Sequence, residues 1–109
     1  MSFKIEVAGR FEKELKHLAK KYPSLKKEYA ELIQSLESEP IQGTAIGNNC
    51  YKVRLAIASK GKGKSGGARV ITHIYVSGKT VYLLSIYDKS EQSTVSEKEM
   101  IELVKAIQK

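Results

Sequence analysis

The apolar residues of this chain change period several times, and each change predicts an element. In FKIEV, Phe3, Ile5 and Val7 alternate with charged residues, as in a short strand. In RFEKELKHLAKKYP, Phe11, Leu15, Leu18 and Tyr22 recur at spacings of four, three and four, one face of a helix. Pro23 cannot continue that helix. Ser24 is the expected N-cap of a second one, whose stripe is Leu25, Tyr29, Leu32, Ile33 and Leu36 and which ends near Pro40. So short a link predicts a helical hairpin. IQGTAIGNNC is rich in turn formers and reads as a loop. YKVRLAI then returns to alternation, with Tyr51, Val53, Leu55 and Ile57 on one face and Lys52 and Arg54 on the other. ARVITHIYV is a β-branched strand, Ser77-Gly78 a tight turn, and KTVYLLSIY a returning strand apolar on both faces, as a strand covered on two sides must be. Ser96 and Glu99 form a capping box before a final stripe of Met100, Ile101, Val104 and Ile107.

The order is therefore β-α-α-β-β-β-α, an α+β fold on a small, mostly antiparallel sheet. The 109 residues carry no repeat or linker and suit one domain, residues 1–109. No apolar run is long enough to span a bilayer, and the start of the chain lacks a signal-peptide pattern. Cys50 is the single cysteine, so no internal disulfide is expected. A cytoplasmic protein without membrane partners follows as the expectation.

Charge changes the picture. The net charge is +7, and no Asp or Glu occurs from Pro40 to Tyr87, a stretch that holds Lys52, Arg54, Lys60, Lys62, Lys64, Arg69 and Lys79. Elsewhere twelve bases balance twelve acids. A continuous segment of one sign suits a polyanion, because it attracts phosphates and releases their counterions. Within it, SKGKGKSGGAR resembles a phosphate-binding loop. The Walker pattern nevertheless fails: the position of its first glycine is Ala58, the loop opens a strand instead of a helix, and no acid is at hand for magnesium. The loop is expected to join two strands. Lys60, Lys62 and Lys64 are point charges for a nucleic-acid backbone or, equally, a solvated hairpin. Arg69, where the loop becomes strand, has a fixed base from which to fork onto a phosphate.

CYKVRL, GKGKSGGARVI and LLSIYDKSE, in that order and spacing, resemble the RelE/ParE toxin superfamily, and the GK-x-GG-x-R element is most similar to its HigB-type branch. The resemblance covers nearly the whole chain. It implies a RelE-like fold and a toxin of a type II toxin–antitoxin system that cuts mRNA in the ribosomal A site. The implied partners are mRNA on the ribosome, ribosomal RNA and a cognate antitoxin protein. The family's basic pair falls on Lys52 and Arg54, its strand-start arginine on Arg69 and its basic residue after the last strand on Lys89. Its C-terminal tyrosine would fall near Val95, and no tyrosine follows Tyr87. Tyr87 and Tyr75 are the candidates to substitute.

RNA can be cleaved without metal or cofactor when its 2′-OH attacks the adjacent phosphorus. The reaction needs a base, positive charge on the phosphorane and an acid for the leaving oxygen. Lys52, crowded by Arg54 and Arg69, is the candidate base, because neighbouring cations disfavour its ammonium form. Arg54 and Arg69 are assigned to the phosphorane, and Lys89 to orienting the substrate or protonating the leaving group. Of the two histidines, His17 shares a helix face with Lys13, Lys16 and Lys20 and is expected in solvent. His73 is mid-strand, an accessory or a structural residue. Asp88 reads as a local partner for a nearby lysine, not a second catalytic carboxylate. Two further readings stay open: a ParE-like, non-enzymatic gyrase inhibitor on the same fold, and a plain RNA-binding protein.

Overall fold

The computed structural model describes residues 2–60, 66–92 and 94–107, Lys60 by its backbone only. Its elements are β1 (Lys4–Val7), α1 (Gly9–Lys21), α2 (Leu25–Ser38), β2 (Thr44–Gly47), β3 (Cys50–Leu55), β4 (Ala68–Tyr75), β5 (Thr80–Asp88) and α3 (Glu97–Ile107), with a 3-10 turn at Ala58–Lys60. They form one five-stranded sheet in the order β1-β5-β4-β3-β2. Only β1, which lies parallel to β5, breaks the antiparallel pattern. The fold is α+β, with β2 added to the expected order.

Strand β2 occupies the stretch expected to be a loop. Asn48 and Asn49 both adopt positive φ, +53° and +58°. A two-residue turn of that kind matches the twist of a hairpin and pairs Gly47 with Cys50. Asparagine accepts this conformation more readily than most residues, because its short amide bonds locally. The β4–β5 turn is centred on Ser77-Gly78 as expected, within a connection of four residues. It spans Val76–Lys79, closes with a 3.0 Å hydrogen bond from the Lys79 N–H to the Val76 carbonyl, and has Lys79 at φ +48°. Ser24 precedes α2 as expected, but its hydroxyl does not cap the helix. It donates to Glu28 and accepts from the Ser59 N–H at 3.0 Å, tying α2 to the turn that follows β3. One half of the capping box of α3 forms, with the Glu99 N–H donating to Ser96 Oγ at 3.1 Å, while the Glu99 carboxylate takes Arg10.

Each face of the sheet carries its own core. On one, Phe11, Leu18, Leu25, Leu32 and Leu36 of α1 and α2 meet Val53, Val70, Ile74, Val81, Leu83 and Ile86. On the other, Met100, Leu103 and Val104 of α3 meet Cys50, Ile71, Leu84 and Tyr87. Strand β5 serves both, which explains its doubly apolar sequence. Its alternation is interrupted once. Ile71 pairs with Ser85, but Thr72 pairs with Leu83, so Leu84 is an extra residue in the ladder. The phase changes at this bulge. Leu83 faces the helical hairpin and Leu84 faces α3, and beyond the bulge Ile86 faces the hairpin and Tyr87 faces α3.

Candidate functional site

On the α3 face, the register of three strands sets basic residues side by side. Arg54 of β3 is the direct partner of Arg69 of β4, and Arg69 is the partner of Tyr87 of β5. Lys52 stands one step along, opposite Ile71. Direct cross-strand neighbours have Cβ atoms about 5 Å apart, and like charges so placed repel. An anion between the two guanidinium groups relieves that repulsion. Arg54 is exposed, whereas Arg69 is only 4% exposed and donates through Nη1 to the Ala68 carbonyl at 3.1 Å. Among the described residues no ion pair involves Lys52 or Arg54. Lys89 follows two residues after Tyr87. Its N–H donates to the Gly67 carbonyl at 3.0 Å, which extends the ladder past the end of β5 and keeps Lys89 beside the start of β4.

Tyr87 is 5% exposed. Its hydroxyl is buried and makes no hydrogen bond of standard geometry among the described residues. Burial raises its pKa above the ordinary 10.0, while the positive charge of Arg69 and the Thr94 hydroxyl act in the opposite direction. At neutral pH it is a phenol with a proton to give. Val95, the position matched to the family tyrosine, is buried in the core beneath α3.

The remaining expected residues lie apart from this row. His73 pairs with Cys50, its Nδ1 3.6 Å from the thiol sulfur, and its ring packs near Tyr82. Burial lowers the His73 pKa from 6.5, against a contribution from the Asn48 backbone, and burial pushes the Cys50 thiol up to about 11. Four residues of extended strand, about 13 Å, separate His73 from Arg69. Tyr75 is half exposed at the other end of β4, about 20 Å away by the same rise. The backbone of Lys60 follows the turn anchored by Ser24, and Lys62 and Lys64 lie outside the described residues. Asp88 accepts from the Tyr22 hydroxyl at 2.7 Å and from the backbone and side chain of Ser90. Its carboxylate thus faces α1, away from the row.

Two features escaped the sequence reading. A cleft of about 300 Å³ lies between α1 and β5, lined by Glu14, His17, Tyr87 and Asp88 among others. The helical hairpin also carries a second basic surface. From residue 13 to residue 27 there are six lysines and one acid, Glu14. The lysines are exposed, whereas Glu14 turns inward to accept from Ser85 and Ile86. A charge sum over the whole remainder of the chain conceals this patch; a running window reveals it. Among the described residues, no group of three His, Cys, Asp or Glu side chains is arranged to hold a metal ion, and no helix is long and apolar enough to cross a membrane.

A two-helix hairpin on one side of a five-stranded sheet, with a basic row and a terminal helix on the other, defines a RelE-like toxin fold. The family described as the RelE toxin of the RelE/RelB toxin–antitoxin system matches residues 10–109, and the chain belongs to that family. Solved structures agree at the level of fold. The free state of a mutant E. coli RelE toxin is 19% identical, with 99% of this chain and 100% of that chain covered and a TM-score of 0.66. The isolated E. coli RelE toxin is 23% identical over 98% of this chain and 100% of that one, with a TM-score of 0.53. The toxin–antitoxin complex RelBE2 of Mycobacterium tuberculosis contains a chain 15% identical, with 81% of this chain and 99% of that chain covered and a TM-score of 0.60.

Proposed function

We propose that this chain is a toxin that cleaves mRNA in the ribosomal A site by metal-independent attack of the 2′-OH, and that it acts in the cytoplasm. The observation that carries this reading is the row Arg54–Arg69–Tyr87, two guanidinium groups in direct register beside a buried phenol. A pentavalent phosphorane gathers negative charge on its equatorial oxygens, and fixed guanidinium groups stabilise that charge more than they stabilise the substrate. Lys52 is the base that takes the 2′-OH proton. Lys89 or Tyr87 donates to the departing 5′-oxygen; Tyr87 keeps its proton at neutral pH, and its place in the row beside Arg69 makes it a candidate donor. Lys60, Lys62 and Lys64 hold the flanking backbone. The partners are mRNA, ribosomal RNA and an antitoxin; the antitoxin is inferred from family membership and from the toxin–antitoxin complex among the structural relatives. Placement in the HigB-type branch rests on the glycine-rich motif.

The test is to incubate the purified chain with translating ribosomes and map mRNA ends by primer extension. Discrete cuts within reading frames, each leaving a 2′,3′-cyclic phosphate, are expected on ribosomes. Intact mRNA together with gyrase-linked DNA breaks in cells would overturn the nuclease reading in favour of gyrase inhibition.

A further inference from the structure

The bulge in β5 decides which side of the sheet Tyr87 occupies. In an unbroken strand, residues 81, 83, 85 and 87 share a face. Val81 and Leu83 face the helical hairpin, so Tyr87 would face it too, and Asp88 would take the α3 side. The extra residue Leu84 reverses this. Tyr87 enters the row with Arg69, and the strand reaches Lys89 in the same phase. A one-residue slip moves every later side chain to the opposite face, and bulges beside functional sites re-aim side chains in this way.

The bulge has a dedicated partner. Strand β1 stops pairing at Val7 opposite Leu83, so the outer edge of β5 is uncovered from Leu84 onward. Helix α1 brings Glu14 to that point. A single carboxylate oxygen, Oε1, accepts both the Ser85 hydroxyl at 2.9 Å and the Ile86 N–H at 3.2 Å. Its other oxygen meets Arg10 Nε at 3.3 Å, and Arg10 in turn holds Glu99 of α3 through Nη2. Glu14 therefore supplies the acceptor that a neighbouring strand would have given, at the two residues that follow the change of phase at Leu84. Ser85 is fully buried, so both donors depend on a partner inside the protein.

We infer that Glu14 is a positioning residue: by pinning Ser85 and Ile86, the two residues that follow the Leu84 bulge, it holds Tyr87 and Lys89 on the face that carries Arg54 and Arg69. The inference rests on the reading of that row as the RNA-cleaving site. It assigns Glu14 no contact with RNA. What matters is acceptor reach, not charge, so Glu14→Gln keeps the two bonds and Glu14→Asp, one methylene shorter, loses them.

Two measurements test it. In the first, cross-strand NMR contacts report the pairs Ile71–Ser85 and Arg69–Tyr87, and amide exchange reports the Ile86 N–H. The Glu14→Asp protein is expected to lose Ile86 protection and to weaken the Arg69–Tyr87 contact while Thr72–Leu83 persists, and Glu14→Gln to retain all three. In the second, single-turnover cleavage is expected to slow about tenfold or more in Glu14→Asp, with RNA affinity within about twofold and recovery in Glu14→Gln, because misplaced groups cost rate before they cost binding. An Asp variant with wild-type register and Ile86 protection overturns the proposal, as does a Gln variant as impaired as Asp. Absence of cleavage by the wild-type chain would defeat the nuclease reading alone, since the register measurement needs no RNA.

Discussion

At the scale of single residues, the site depends on shape as much as on charge. Arg69 is held at the start of β4 with its guanidinium almost wholly enclosed. Lysine keeps the charge at that place but cannot fork onto two oxygens. Arg69→Lys is therefore expected to fold, by circular dichroism and thermal melting, and to lose about a hundredfold in cleavage rate, equivalent to about 3 kcal/mol of transition-state stabilisation. Wild-type cleavage by the folded variant would remove Arg69 from the chemistry. The Cys50–His73 pair bears on stability instead. His73 titrates below its ordinary 6.5 in the folded chain, so the unfolded chain takes up the proton first, and stability falls as pH drops below about 6.5. Cys50 titrates at about 11 instead of 9.0, so the unfolded chain releases the proton first, and stability falls as pH rises from about 9 towards 11. Urea denaturation across pH 5–11 should show a plateau between these limits. Cys50→Ala should flatten the alkaline limb by about 2 kcal/mol, and an alkaline limb unchanged in that variant would show that Cys50 is not its source.

At the scale of elements, the junction of β3 and β4 is the tightest point in the site. A Cβ on Gly67 would sit 2.1 Å from the Leu55 carbonyl oxygen, a backbone atom of β3 that cannot swing aside as a side chain would. Gly67→Ala is expected to cost about 1–3 kcal/mol through overpacking and to loosen the Lys89 N–H bond to the Gly67 carbonyl. Chemical denaturation reads the first effect and amide exchange at Lys89 the second; a variant with wild-type values of both would show that this junction has slack. Most elements were legible because their apolar periods are long and clean. Leu25, Leu32 and Leu36 are buried as their stripe required, and the doubly apolar β5 is covered on both sides. Strand β2 was hidden because four mostly exposed residues bury too little to leave an apolar signature; only the Asn-Asn pair marked the hairpin. Alternation correctly put Lys52 and Arg54 on one face. It could not put Arg54 opposite Arg69, because cross-strand register is set by contacts distant in sequence. Nor could it bring Tyr87 into the row, since the bulge that does so depends on Glu14, 71 residues away from Ser85.

At the scale of the whole molecule, positive charge lies on both sides of the sheet: the Arg54–Arg69 row on the α3 side and the exposed lysines on the hairpin. The glycine-rich loop adds Lys60, Lys62 and Lys64. Replacing all three by Gln is expected to weaken RNA binding and to reduce the slope of log affinity against log salt by about 0.7 for each single-strand phosphate that is no longer neutralised, with cleavage of bound RNA little changed. An unaltered slope would make the loop a solvated hairpin. The sheet order also has a consequence in time. Strand β1 is made before the other elements described and pairs with Thr80–Leu83 of β5, the last strand in chain order. Until β5 has left the peptide tunnel, β1 has no neighbour, the hairpin helices lack much of the surface they cover, and Tyr87 does not yet exist beside Arg69. Such non-local closure is slow compared with helix formation. A nascent chain therefore carries its basic segment past the machinery that makes it before the row is complete, and a ribosome that stalls short of the last strand releases a product with no assembled site.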